Sequence, residues 1–207
     1  MFITNELLIE LFESHKPSEY FTYLRHENII GRFPELNALI GCIQEPLWHP
    51  EGDVWTHTLM VVDVAAELKY NFTDTAEKHA FMLGALCHDF GKPYSNNYDK
   101  GKIRSLMHDQ YGFLPASNFL SRFDLPEEVC SKVQLYISKH LVPMQLYKNQ
   151  KDVSLSAIRR LQTKIHIPDL VQLTRADHWG RTDEDSINRV CRSADWLLER
   201  YKAACRV

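Results

Sequence analysis

Apolar residues recur at three- and four-residue intervals along most of the chain, in segments separated by proline, glycine or short polar runs. The spacing predicts helices over 3–14, 18–26, 34–45, 53–70, 75–89, 109–123, 126–140, 154–164, 167–179 and 184–204. Strand-like alternation is almost absent, so the expected fold class is all-α. Pro126-Glu127-Glu128-Val129 places proline in a first helical turn with acids at the positive end of the dipole. Phe90-Gly91-Lys92-Pro93 predicts the opposite event: a helix ending near Asp89, with Gly91 as a left-handed cap and Pro93 unable to continue. His88 and Asp89 then stand at a helix end, facing a loop. Residues 94–102, rich in Asn, Ser, Tyr and Lys, read as a linker-like lip beside them. There is no internal repeat and no low-complexity segment.

Composition narrows this picture. A chain of 207 residues that is 44% hydrophobic can bury a sizeable core as one domain, or as one domain with a helical extension. Its 24 basic and 27 acidic residues give a net charge of -3, which argues against a general polyanion-binding surface but leaves room for a local basic patch that meets a nucleic acid. A nucleic acid is therefore a candidate substrate more than an evident partner. The five cysteines are odd in number and form no CxxC pair, so reduced thiols and a cytoplasmic location are expected. No window reaches about 18 uncharged apolar residues and the first residues lack a basic n-region, so neither a membrane span nor export is expected. The apolar positions of 34–45 and 184–204, including Trp196, Leu197 and Leu198, suit either core or the seam of a homodimer.

Four predicted helices each carry a side chain able to bind a metal: His57, the pair His88-Asp89, His140 and Asp177. Val61, Val64 and Leu68 share a helical stripe with His57, and Phe81 and Ala85 share one with His88. Both imidazoles thus face the core, where an unpaired polar group is costly. Taken singly, each histidine is more often a hydrogen-bonded core residue than a ligand. The His-Asp pair is itself a frequent coincidence, and His108-Asp109 is a second copy in this chain. A mixed imidazole and carboxylate set suits Mn, Fe, Co, Ni or Zn, and Mg if more oxygens join. No Gly-x-Ser-x-Gly elbow and no P-loop is present, so acyl transfer on a serine and ordinary nucleoside triphosphate motor chemistry lack support.

The order His, then His-Asp-x-Gly-Lys, then a distal Asp resembles the HD superfamily of phosphohydrolases. The match extends through Phe33-Pro34-Glu35-Leu36, the run from Trp48-His49-Pro50-Glu51-Gly52-Asp53 to His57-Thr58-Leu59-Met60, and Cys87-His88-Asp89-Phe90-Gly91-Lys92-Pro93. These segments are similar to the C-terminal half of bacterial CCA-adding tRNA nucleotidyltransferases, over residues 10 to 185. The Gly-Ser-rich head motif and the Asp-x-Asp pair that nucleotidyl transfer needs are missing, so the chain resembles the HD half alone.

This resemblance implies an HD helical bundle over 51–207 with an N-terminal helical extension over 1–50. It implies His57, His88, Asp89 and Asp177 as primary ligands of a divalent metal, with His108 and His140 holding a second ion where two are bound. Asp89 would bridge the ions and accept a proton from the attacking water. Lys92, three residues beyond Asp89 across a glycine, would reach a phosphate on the metal. Arg181 is a second phosphate-clamp candidate. Arg104 and Lys102 near the lip, and Arg159-Arg160, could meet a nucleotide or a single-stranded end, with exposed salt-bridged surface as the plainer account. The reaction implied is attack of metal-activated water on phosphorus in nucleotides or RNA ends carrying a 2′ or 2′,3′-cyclic phosphate. Rival readings are a deoxynucleoside 5′-monophosphatase, a tRNA-binding module with a vestigial metal site, and a diiron oxygenase; Lys92 disfavours the last.

Overall fold

The computed structural model describes residues 2–206. The bundle is built on α4 (Val54–Leu68) and α5 (Thr75–Cys87), which lie side by side. Aspartates start both: Asp53 accepts the Thr56 N–H at 2.9 Å and Asp74 the Glu77 N–H at 2.9 Å, each satisfying a donor that the first turn leaves free. α9 (Glu127–Lys139) packs along α5, α12 (Ile167–Trp179) packs along α4, and α14 (Arg192–Cys205) covers α12. Phe81, Phe90, Phe119 and Tyr136 fill the space between them, essentially inaccessible to solvent. Each of the phenylalanines contributes on the order of 1.5–3 kcal/mol by leaving water.

At the N-terminal end, α1 (Phe2–Glu13) lies on α5 and α2 (Pro17–His26) on α4. Buried Lys69 secures α1 by donating to the carbonyls of Phe12 and Ser14, both at 2.8 Å. Glu35, in α3 (Pro34–Asn37), receives both arms of Arg122 at 2.8 and 2.9 Å, so this motif residue ties the N-terminal region to the bundle.

The helix expected over 34–45 stops at Asn37. Gly41 has φ +73 and its N–H is taken by Asp53 at 2.7 Å, which turns the chain back toward α4. The linker expected over 94–102 is also corrected. It contains a short helix, α6 (Lys92–Ser95), and a hairpin of β1 (Asn96–Asp99) and β2 (Lys102–Ser105), with Tyr98 opposite Ile103. Lys100 and Gly101, at φ 50 and 77, supply the two left-handed residues that a tight hairpin turn requires.

Two more expected helices are interrupted. The one over 109–123 divides into α7 (His108–Tyr111) and α8 (Phe113–Leu120). That over 184–204 divides into α13 (Glu184–Ile187) and α14, separated by Arg189 at φ 56. α10 (Val142–Lys148) was not expected, and begins directly after His140 with Pro143 in its first turn. α11 (Leu155–Gln162) starts at the Ser154 cap, close to its expected bounds. In α14, Leu197 is buried in the core and Trp196 packs edge-on against Tyr147. No helix among the described residues is long and apolar enough to cross a membrane.

Candidate metal centre

The ends of four long helices and one short one meet around Asp89. His57 comes from the first turn of α4, His88 from the C-cap of α5, His108 from the start of α7, His140 from the C-cap of α9, and Asp177 from the last turn of α12. The four histidines and Asp89 are buried. Gly91 makes this convergence sterically feasible, but not as the expected left-handed cap, since its φ is -82. A Cβ there would lie 1.9 Å from the His108 carbonyl oxygen, so glycine is required by the approach of α7. Gly180 does the same at the end of α12, where a Cβ would come within 2.6 Å of Val61.

Every imidazole is held by its Nδ1. His88 donates to Ala85 O at 2.8 Å, His108 to Ser105 O at 2.7 Å, His140 to Ile137 O at 2.7 Å and His57 to Gly180 O at 3.1 Å. With a proton held on Nδ1, each ring turns its Nε2 toward the centre, bare when the ring is neutral and a donor when it is charged. His57 Nε2 lies 3.2 Å from Asp177 Oδ1 and 3.8 Å from Asp89 Oδ2, and His88 Nε2 lies 3.2 Å from Asp89 Oδ2. On the other side, His108 Nε2 is 3.3 Å and His140 Nε2 3.9 Å from Asp89 Oδ1. The two oxygens of Asp89 thus face two different donor groups.

These residues fit a divalent cation, or two. His88 Nε2 is buried without a hydrogen-bond partner, as an acceptor reserved for a cation would be. Ligand atoms of His57, His88 and Asp177 lie within 4.8 Å of one another, and so do those of Asp89, His108 and His140. Burial alone would raise the pKa of Asp89. The charges of His88 and Lys92 and the hydrogen bonds from the surrounding imidazoles outweigh it and hold the carboxyl well below its usual range. Burial likewise opposes ionisation of Asp177, but Arg181 and the His57 hydrogen bond keep its carboxyl well below the usual range too.

Lys92 is buried, with Nζ 2.7 Å from Asp89 Oδ2 and 2.6 Å from Gln44 Oε1, which rules out a solvated loop lysine. Arg181 Nη2 sits 3.1 Å from Asp177 Oδ1. Both cations line the cavity of about 320 Å³ that opens over the cluster. Arg104 does not line it; its side chain is exposed on β2, 3.8 Å from Asp99.

Sequence reasoning passed over Glu51, which lies inside the quoted motif. Its side chain is fully buried and Oε1 sits 2.8 Å from Nδ1 of both His57 and His49. Burial would raise its pKa, but those two imidazoles pull it down to about 2. It thereby supplies a carboxylate behind a candidate ligand imidazole, an arrangement that fixes the ring and raises its basicity. The signal available in sequence was a glutamate and a histidine two residues apart just before the His57 helix. His49 itself faces the cavity, its Nε2 3.4 Å from Lys92 Nζ; burial lowers its pKa to about 4.

Comparison with known proteins adds the following. The HD domain model matches residues 54–197. The chain is 29% identical over 201 residues to the multifunctional CCA protein of Pasteurella multocida, covering 95% of this chain and 46% of that protein. It is 31% identical to the protein of the same name from Psychromonas ingrahamii, covering 93% and 45%, and 30% identical to that from Methylococcus capsulatus, covering 92% and 44%. The chain thus spans under half the length of the curated relatives it matches.

Proposed function

Because the chain belongs to the HD-domain family, whose members are in general metal-dependent hydrolases, we propose that it is a phosphohydrolase acting on phosphate esters of nucleotides or RNA ends. The preferred esters are 2′,3′-cyclic phosphodiesters and 2′-monophosphates. The observation that carries this reading is the joint placement of two donor groups around Asp89 with two cations, Lys92 and Arg181, at the wall of the same cavity. A binuclear centre is favoured over a single ion because the oxygens of Asp89 divide between the two groups.

Bound divalent cations there would supply Lewis acidity to phosphate oxygens and a more nucleophilic water at neutral pH. The chain's own groups do the rest. Lys92 presents an ammonium beside Asp89, positioned to take a non-bridging phosphate oxygen, and Arg181 offers a planar fork for another. Both are already paired with carboxylates, so they are preorganised for charge developing on the substrate. Glu51 keeps the His57 ring in the tautomer that leaves Nε2 free.

The reading is tested by loading the protein with Mn, Ni, Co or Mg and offering 2′,3′-cyclic nucleotides, 2′- and 5′-monophosphates and a generic phosphate ester. Metal-dependent ring opening of the 2′,3′-cyclic nucleotides to monophosphates, and release of inorganic phosphate from the 2′-monophosphates, are expected. Preferential hydrolysis of 5′-deoxynucleotides would replace the substrate assignment. No hydrolysis with any metal would leave a nucleotide- or tRNA-binding module instead.

A further inference from the structure

The chain has four tryptophans, and three of them have their rings covered. Trp55 is buried in the core, Trp179 lies beneath the guanidinium groups of Arg175 and Arg189, and Trp196 packs on Tyr147. Trp48 differs. It lines the cavity over the metal centre, is 62% exposed, and stacks on no other ring among the described residues. Leaving so large an apolar ring in water forgoes stabilisation that burial would give.

The loop that carries Trp48 is tied on both sides. The N–H groups of Trp48 and His49 both donate to Glu45 O at 3.0 Å, and Glu45 Oε2 accepts the Ile103 N–H of β2 at 3.0 Å. On the C-terminal side His49 is anchored to Glu51. The indole is therefore presented by a held loop. Ile103 from β2, and Leu141 and Met144 from α10 and its N-cap, add apolar surface to the lining of the same cavity, which also includes Lys92 and Arg181. The cavity thus offers cations that suit phosphate together with apolar surface that suits a flat ring.

We propose that Trp48 is the platform of a base-stacking subsite, and that the cavity takes one nucleoside unit whose base lies on the indole while its phosphate meets Lys92 and Arg181. The proposal rests on the phosphohydrolase reading for the identity of the anionic end. A volume of about 320 Å³ stands at the lower edge of the roughly 300–1,000 Å³ range of small-ligand pockets. It admits a mononucleotide or one terminal nucleotide, not a stacked run. Aromatic stacking tolerates any base, so the subsite selects nucleotides over other phosphate esters without choosing among bases.

The test is equilibrium binding by calorimetry, using adenosine 2′-monophosphate and glycerol 2-phosphate as probes on the wild type, Trp48→Ala and Trp48→Phe. The wild type should bind the nucleotide more tightly than the aliphatic ester. That preference should fall by roughly ten- to hundredfold in Trp48→Ala and be largely retained in Trp48→Phe. Because the side chain is exposed, the variants should keep wild-type melting temperatures. Equal affinity of the wild type for the two probes, or an unaltered preference in Trp48→Ala, overturns the subsite. A Trp48-dependent preference for the nucleotide in a protein that hydrolyses no phosphate ester would instead remove the hydrolase reading and leave the subsite standing.

Discussion

The Nε2 atoms of His108 and His140 lie 3.0 Å apart, while each ring spends its Nδ1 proton on a backbone carbonyl three residues earlier. Two neutral imidazoles in that state would oppose lone pair to lone pair, so the contact calls for a positive charge between them. Without metal, a proton on His108 would supply it. Burial disfavours that charge, but the hydrogen bond and charge of Asp89 raise the His108 pKa, while burial and the neighbouring His108 and His88 lower that of His140 to about 3. A metal ion would replace the proton.

The first prediction follows from that replacement. Elemental analysis after metal loading should return two ions per chain in the wild type, one in His140→Ala and none in Asp89→Asn. Circular dichroism should remain helical in all three. At a metal concentration a hundredfold above Kd, each occupied site should make unfolding cost about 2.7 kcal/mol more than in chelator. Equal metal content in wild type and Asp89→Asn would remove the bridging role.

Glu51 gives a second prediction. Glu51→Ala should weaken metal binding by roughly ten- to a hundredfold, because His57 loses the carboxylate behind its ring. Glu51→Gln should recover much of the loss, since an amide oxygen can still accept from both imidazoles that Oε1 now serves. Titration calorimetry with Mn reads this directly. Identical affinities in the alanine and glutamine variants would show that geometry at Oε1 is not what matters.

Gly91 separates steric from conformational need. Its φ is open to any residue, yet a methyl group would meet the His108 carbonyl at 1.9 Å. Gly91→Ala should therefore destabilise the protein by about 1–3 kcal/mol or more, as overpacking does, and also disturb His108. Urea unfolding and metal stoichiometry measured together would detect both effects. A variant of wild-type stability would mean that α7 can move away freely.

A fourth prediction lies outside the centre. His79 stacks on Phe12, with ring centroids 3.9 Å apart and planes 7° from parallel, joining α5 to α1. Burial holds its pKa below the ordinary 6.5, with Lys78 assisting and Glu13 opposing. As pH falls below 6.5 the unfolded chain binds the proton more readily than the folded one, so the stability that His79 contributes is complete above that pH and lost on acidification. The stability advantage of wild type over His79→Gln should therefore shrink from pH 8 to pH 5. An advantage that grows on acidification would contradict the assigned direction.

Helix existence and the chemistry of the centre were legible in the sequence because each rests on local pattern. The stripe Val61, Val64 and Leu68 dictates which way His57 faces, and Asp53 and Asp74 announce the starts of α4 and α5. Asp99-Lys100-Gly101-Lys102 carried a hairpin signal that the polar composition of the segment concealed. Other features lay beyond any local pattern. That Gly91 serves a contact with His108 and that Lys92 is buried against Gln44 depend on pairs 17 and 48 residues apart in the chain, and no periodicity announces that one carboxylate serves both His49 and His57. Residue periodicity fixes the face a side chain presents; only the packing of α4, α5, α7, α9 and α12 decides which atoms meet there, because those distances are set by how closely backbones approach.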